Sequence, residues 1–407
     1  MYQISKEGKN LQGNINISGS KSESNRLLTL RAYTSFFNIN NLSDSDDTNT
    51  MISSLKSDDK EINIGHAGTA MRFLTSYYSS ILNSSKILTG STRMKERPIL
   101  ILVEALNNLG ADIEYIDEKG YPPIRLNGKL ISKNIVTLPA NVSSQYVSSL
   151  MMLGVSINEG LKIKLSTKIT SLPYIHMTKK IIERIGGNVD VKQDEIIIKQ
   201  LVSNKIPDQI VESDWSSASY FFSLVALSDT SDLTLSSFFN KSIQGDSRIV
   251  EIYKQFGVET NFHNNKIHLK KNNIDLPDSI SINLRDNPDL AQTIIVTCLG
   301  LGVDCKLEGL QTLKVKETDR LLALKREIEK FEVDTIAVSD QSITLKNNSK
   351  LKSGVSINTY DDHRMAMSFA PLSIINPIVI NNPEVVSKSY LNFWNDLESI
   401  GFNISQK

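Results

Sequence analysis

A chain of 407 residues, 40% apolar and 22% charged, has the composition of a soluble globular protein of two or three domains, which excludes disordered, collagen-like and coiled-coil chains. Forty-five Lys and Arg balance forty-five Asp and Glu, so there is no overall basic field for nucleic acid or an anionic membrane, and an anionic ligand must be met by a local cluster. Cys298 and Cys305 are too few for a disulfide framework or a four-thiolate zinc site, no apolar run approaches a membrane span, and the first residues show neither a signal nor a transit pattern, so a cytoplasmic protein is expected.

In chain order, Gly19 and Ser20 open a predicted helix with Lys21, Ser22 and Arg26 in its first two turns. Two cations, a hydroxyl and free backbone N–H groups at a helix start make an anion site, or equally an exposed capped helix. The spacing excludes a P-loop. In GHAGTAMRFL, Gly68 allows close backbone approach to a ligand, or simply packs. Arg97 precedes Pro98 at the start of a helix expected over residues 96–109, where it could grip an anion or pair with Glu96 or Glu104. VSSQYVSSLMML places Ser143, Ser144 and Gln145 before an apolar helix, and TSLPYIHMT repeats the pattern with Ser171 and Tyr174. Asp289 follows Pro288 at a helix start, where a carboxylate could be only a cap. Lys316, Glu317 and Arg320 bunch at another start, and the i,i+3 pair alone could be a surface ion pair. TYDDHRMAMSFA holds Asp362, His363 and Arg364, but no G-x-S-x-G elbow supports a serine hydrolase, and no His/Cys/carboxylate set has metal spacing.

Beneath these clusters lies a repeat of helix, glycine, strand, polar turn and strand. Its copies run ILVEALNNLGADIEYIDEKGYPPIRL, KKIIERIGGNVDVKQDEIIIKQ, IVEIYKQFGVETNFHNNKIHLK and LLALKREIEKFEVDTIAVSDQSITLK, with a truncated FWNDLESIGFNIS at the end. The anchor positions Gly110, Gly186, Gly257, Glu332 and Gly401 lie 69–76 residues apart, and Glu332 stands where the glycine would be. Helix and strand in every copy mean α/β layers. Cations and hydroxyls recur at the helix starts, so several N-termini could be aimed at one small polyanionic ligand.

The segments GSKSESNR, AGTAMR, ERPI, SSQY, SxPYI, DWSSASYF, KVKETDRL, DDHRMAM and VSKSYLNFW resemble, in order from residue 19 to 394, those of the EPSP synthase (3-phosphoshikimate 1-carboxyvinyltransferase) family. The resemblance implies a two-lobed enolpyruvyl transferase fold (an inside-out α/β barrel of six βαβαββ units, three per lobe), with residues 1–19 and 213–407 in one lobe, 20–212 in the other, and the active site in the interlobe cleft. It implies transfer of the enolpyruvyl group of phosphoenolpyruvate to the 5-hydroxyl of shikimate 3-phosphate, with no metal or organic cofactor, no nucleic acid or membrane partner, a monomer, and glyphosate as an inhibitor. By the same resemblance Lys21, Ser22, Arg26, Ser143, Ser144, Gln145, Ser171 and Tyr174 bind shikimate 3-phosphate. Gly68, Arg97, Lys316, Arg320, Arg364 and Lys388 hold phosphoenolpyruvate, with Thr312 and His363 also at the substrates. Asp289 is the implied base, Glu317 the acid that protonates the phosphoenolpyruvate methylene, and Lys316 shares either role. His66, Phe73 and Thr312 depart from the family's usual Asn, Pro and Asn, which bears on the loop at Gly68 and on glyphosate sensitivity. The alternatives are the sister transferase acting on UDP-N-acetylglucosamine, whose reactive loop cysteine has no counterpart here, and a catalytically inactive relative.

Overall fold

The computed structural model describes the chain except residues 35, 140–142, 168–170, 203–204, 334 and 347–350. Val142, Thr170 and Asp334, at the edges or inside of segments singled out above, lie outside the described residues. The chain divides into two compact units, Met1–Ser18 with Glu212–Lys407, and Gly19–Val211.

The discontinuous unit holds three four-stranded sheets with one wiring. In the plainest copy, Ser279–Asn283 runs parallel to Asp304–Glu308, and the hairpin Thr335–Val338/Ser342–Lys346 adds antiparallel through its second strand. Helices Ala291–Leu301 and Arg320–Glu329 fill the two connections, which completes a βαβαββ unit. A second copy draws its first strand, Asn10–Ile15, from the N-terminal segment and lays it parallel to Thr230–Ser236. The third starts with Ser356–Ile357 and Ile378–Ile380, then takes Tyr2–Lys6 as the strand between Ile378–Ile380 and Phe402–Gln406. The truncated final repeat is therefore completed by residues from the other end of the chain.

The continuous unit repeats the wiring in the sheets of Glu61–Asn63, Ser85–Thr89, Ile124–Asn127 and Asp112–Tyr115, and of Ile135–Leu138, Leu161–Leu165, Glu195–Ile198 and Val189–Val191. A smaller parallel pair, Ile39–Asn40 with Gln209–Ile210, accompanies helices Lys21–Tyr33 and Asp46–Lys56.

Burial separates the layers. Strands such as Val258–His263 and Lys266–Lys271 alternate buried and open residues, as one-sided sheets must. By contrast, Trp215–Leu227 and Ala291–Leu301 are apolar around most of their circumference and nearly every residue is buried, so they lie inside the sheets. Within this unit both pack against His363–Phe369. Small hydroxyls allow the close approach: Ser219 and Thr293 are 3.0 Å apart, Thr293 and Ser368 3.5 Å, and Thr297 donates to Ser223 at 2.7 Å. In the other unit Lys21–Tyr33, Gly68–Ser80 and Ser144–Gly154 take the equivalent place, with Ser76 and Ser149 bonded at 2.6 Å. Most of the inner helices, such as Gly68–Ser80, Ser144–Gly154, Ala291–Leu301 and His363–Phe369, directly follow a first strand. Each begins at a segment that the sequence singled out for chemistry.

The helix expected over 96–109 is shorter, Leu100–Asn108, and a separate short helix, Thr92–Lys95, precedes it. Pro98 has no N–H to give and keeps the residue before it out of the α region, so Arg97 lies in the gap between them. The five anchor positions share one conformation: Gly110, Gly186, Gly257 and Gly401 have positive φ, and so does Glu332 at +60°. Each ends a helix in the left-handed turn that aims the chain into the following hairpin or strand.

Candidate functional site

In the discontinuous unit the chemistry is concentrated around Arg320. This first residue of helix Arg320–Glu329 is 1% exposed, and all its donor groups are directed at carboxylates. Nε donates to Asp362 at 2.7 Å, Nη1 to Asp289 at 2.8 Å and Nη2 to Glu317 at 2.9 Å. A buried guanidinium demands such compensation, because its desolvation costs several kcal/mol. Burial would depress it, but Asp362, Glu317 and Asp289 outweigh burial and raise its pKa.

Three more cations join the lattice. Lys388, from the turn Pro383–Lys388, lies 3.0 Å from Glu317. Lys316 lies 3.5 Å from Asp289, and Arg364 Nη2 lies 3.3 Å from its other oxygen. Four cations thus face three carboxylates around Arg320, with the buried Asp246 within electrostatic reach of Arg364. Burial alone would push the Asp289 carboxyl up, but Arg364, Lys316 and Arg320 hold it well below the ordinary range. At Lys316 burial dominates instead: it lowers the pKa of the ammonium, against the opposing pull of Asp289. A carboxylate kept ionised beside an ammonium that gives up its proton more readily than a free lysine suits general acid–base chemistry.

Local structure explains these placements. Asp319 caps helix Arg320–Glu329 by accepting from Leu321 and Leu322 N–H, which leaves Arg320 to the carboxylates. Asp362 accepts from the Arg364 N–H and so serves as both cap and counter-ion. Glu317 and Arg320 are far from a surface pair, since both are nearly buried. His363 is 1% exposed, with Nδ1 3.8 Å from Asp362. Thr312 precedes Lys316 in the turn Gln311–Val315, and its buried hydroxyl has no hydrogen-bond partner among the described residues.

The continuous unit gathers a second set. Lys21, at the first position of its helix, pairs with Asp47 at 3.1 Å, and Ser22 follows it. Arg26, 2% exposed, donates to Thr178 at 2.7 Å, to the Ser22 carbonyl at 2.8 Å and to Ser148 at 3.3 Å. Burial pushes it down to about 10, so it remains charged at neutral pH. Its guanidinium lies 5.5 Å from the Phe73 ring and 5.8 Å from that of Tyr174. Phe73, where the family's usual residue is proline, thus supports Arg26 from the helix interior.

Gly68 and Arg97 meet directly. A Cβ on Gly68 would lie 2.7 Å from Arg97 Nη1, so only glycine admits the guanidinium there. Glu96 pairs with Arg93 instead, and Arg97 makes no ion pair among the described residues. Ser143 caps its helix by accepting from the Gln145 N–H, with Ser144 buried as the first helical residue. Gln145 in turn donates to Thr69, next to Gly68, at 3.2 Å. Ser171 caps Leu172–Arg184 from a left-handed conformation at φ +54°, an uncommon one for serine. His66 accompanies this group at the surface, 3.0 Å from Ser91.

Sequence reading missed the supports. Arg72 donates to the Pro98 carbonyl at 3.0 Å and the Gly68 carbonyl at 3.3 Å, and Tyr146 donates to the same Pro98 oxygen at 2.5 Å. Together they fix the backbone on either side of the Gly68–Arg97 contact. The only signal available was an arginine one turn after Gly68. Tyr220 and Asp246 near Arg364, and the assignment of Asp362 to Arg320, were likewise unread. No group of three potential metal ligands occurs among the described residues.

A family model described as EPSP synthase (3-phosphoshikimate 1-carboxyvinyltransferase) matches residues 52–397. A 3-phosphoshikimate 1-carboxyvinyltransferase of Bacteroides fragilis is 42% identical over 97% of this chain and 96% of its own length. That of Haemophilus influenzae is 34% identical over 96% of each. Among solved structures, an EPSP synthase from Acinetobacter baumannii superposes with a TM-score of 0.78 at 19% identity, covering 100% of this chain and 99% of that one. An enolpyruvyl transferase, NikO from Streptomyces tendae, gives 0.74 at 12% identity with the same coverage. These two likenesses speak to the two-lobed enolpyruvyl transferase fold.

Proposed function

This chain belongs to the EPSP synthase family, and from that premise we propose that it transfers the enolpyruvyl group of phosphoenolpyruvate to the 5-hydroxyl of shikimate 3-phosphate, releasing phosphate, as a step of aromatic amino acid biosynthesis. The observation that carries the reading beyond kinship is the buried lattice in which Arg320 holds Asp289, Glu317 and Asp362 while Lys316, Arg364 and Lys388 surround it. It gathers four cations at one place, as phosphate and carboxylate ligands require, and it holds two non-equivalent carboxylates, as two proton transfers require.

The steps divide as follows. Lys21, Ser22, Arg26, Ser143, Ser144, Gln145, Ser171 and Tyr174 hold shikimate 3-phosphate. Arg97 against Gly68, with Arg364, Lys388 and Thr312, holds phosphoenolpyruvate. Glu317, in its protonated form, gives its proton to the vinyl methylene as the 5-hydroxyl oxygen bonds to the adjacent carbon, and Asp289 takes the hydroxyl proton. Loss of phosphate and of one methyl proton, back to Glu317, then restores the double bond. Lys316 exchanges protons with Asp289. Arg320 serves mainly to fix the carboxylates, since its donors are already engaged, and the cations meet the charge that develops on the departing phosphate. In this reading the enzyme works as a monomer in the cytoplasm without metal or organic cofactor, and glyphosate is a candidate inhibitor.

Phosphate release from phosphoenolpyruvate, measured without metal and with shikimate 3-phosphate or UDP-N-acetylglucosamine as acceptor, tests this. Release with shikimate 3-phosphate alone is expected. Release with the nucleotide sugar alone would overturn the acceptor, and release with neither would overturn the reaction.

A further inference from the structure

Asp246 is a buried carboxylate that the reaction scheme leaves unused. It lies in the short turn Gly245–Arg248 and is 5% exposed. Ser216 donates its hydroxyl to Asp246 Oδ2. Ser216 and Tyr220 are four residues apart on helix Trp215–Leu227 and so share a face. The Tyr220 hydroxyl accepts from Arg364 Nη1 at 3.4 Å, while Arg364 Nη2 holds Asp289 at 3.3 Å. One helix face therefore links Asp246 at one turn to Arg364 at the next, on the opposite branch of the guanidinium from Asp289.

We infer that Asp246 is a positioning residue for this reaction, whose charge sets how fully Arg364 is available to an anionic substrate. The inference rests on the assignment of Arg364 to phosphoenolpyruvate made above. The groups facing Asp246 are Ser216 from the helix, Asp214 from its cap, Asp289 from the turn Pro288–Leu290 and Arg364 from helix His363–Phe369, while Tyr220 faces Arg364 and Asp214. Arg248, on the same turn, points its guanidinium at the Asn283 carbonyl and Asn287 instead. Burial and repulsion by Asp289 push the Asp246 carboxyl up to about 6, against the opposing effects of Arg364 and the Ser216 hydroxyl. When ionised, Asp246 adds its charge, through space, to that of Asp289 at the one guanidinium. When protonated, Asp246 leaves Arg364 partnered by Asp289 alone. An anion arriving at Arg364 favours the second state, so anion binding and proton binding at Asp246 strengthen each other by linkage.

The test is the dissociation constant of phosphoenolpyruvate, with inorganic phosphate in parallel, for wild type and Asp246→Asn between pH 5 and 8. The ratio of the two proteins is what is read, because a phosphate ligand titrates near pH 6 itself and the ratio cancels that. Near pH 5 the two should bind alike, and towards pH 8 the variant should bind about five- to tenfold more tightly. A ratio that is flat with pH, including uniform weakening from a merely structural loss, would overturn the inference. Ser216→Ala is the second variant. It leaves the carboxylate but removes a hydroxyl that favours its ionised form, so the pH at which affinity declines should move up; a midpoint that stays or falls would also overturn the inference. Phosphate release by the wild type separates this result from the function itself. Normal turnover with a flat ratio defeats only the role of Asp246, whereas absent turnover with a pH-dependent inorganic phosphate ratio defeats only the reaction.

Discussion

Arg320 receives three carboxylates on one guanidinium, and each of them has a different consequence when changed. Glu317→Gln keeps shape and removes a proton carrier, so it should leave shikimate 3-phosphate binding intact while turnover falls about 10²- to 10⁴-fold. Calorimetric binding with steady-state kinetics checks it, and turnover within a few-fold of wild type would remove Glu317 from the mechanism. Asp362→Asn can still cap its helix but withdraws a buried counter-ion, so a loss of roughly 2 kcal/mol is expected in urea unfolding. Gly68→Ala should hardly touch stability, because the atom in the way is the end of a flexible side chain. It should displace Arg97 and raise KM for phosphoenolpyruvate about tenfold with a smaller change in kcat. Asp246 and Asp289 act oppositely on stability. The raised Asp246 lets the folded state hold a proton that the unfolded state has lost, so its part of the stability declines as pH rises from about 4 through about 6. The depressed Asp289 contributes stability above about pH 4 that disappears on acidification. Asp246→Asn should therefore gain up to about 3 kcal/mol on the wild type across that first interval, as read by melting at each pH. Asp289, Glu317, Lys316 and Arg364 were legible because each stands in a compact motif. Asp246 was not, because Ser216 and Arg364 come to it through space and nothing near it in sequence suggests a site.

Among the elements, the repeat was the most legible feature. Helix periodicity and the anchor glycines located five helix–hairpin joints, and backbone geometry explains even the exception. Glu332 occupies a left-handed turn that costs a side-chain-bearing residue about 1 kcal/mol, and its surface pair with Lys352 returns little. Glu332→Gly should raise the melting temperature by a few degrees, although part of the gain is lost to the freer unfolded chain. An unchanged or lower melting temperature would show that the turn is not strained. The exact helix start after Pro98 was less legible, since Ile99 belongs to the apolar spacing behind it, yet the helix begins only at Leu100. The strands Tyr2–Lys6 and Asn10–Ile15 were not readable as repeat members at all, because their partners lie more than two hundred residues away.

For the whole molecule, the wiring makes the two units unequal as folding problems. Gly19–Val211 is continuous and carries its own core, whereas the other unit needs Met1–Ser18 to complete two of its three sheets. A fragment of residues 19–211 should give a cooperative thermal transition and dispersed amide resonances. A fragment of residues 212–407 should not, until a peptide of residues 1–18 is supplied. Equal behaviour of the two fragments would show that the borrowed strands are dispensable.

The strand Tyr2–Lys6, held between Ile378–Ile380 and Phe402–Gln406, has a further consequence in time. On the ribosome it is made well before its neighbours, Ile378–Ile380 and Phe402–Gln406. At about 5–20 residues per second it waits roughly 20–80 s with its backbone edges open. Its side chains fit that wait: Gln3, Ser5 and Lys6 interrupt the apolar residues Tyr2 and Ile4, which makes the segment a poor template for pairing with other nascent chains.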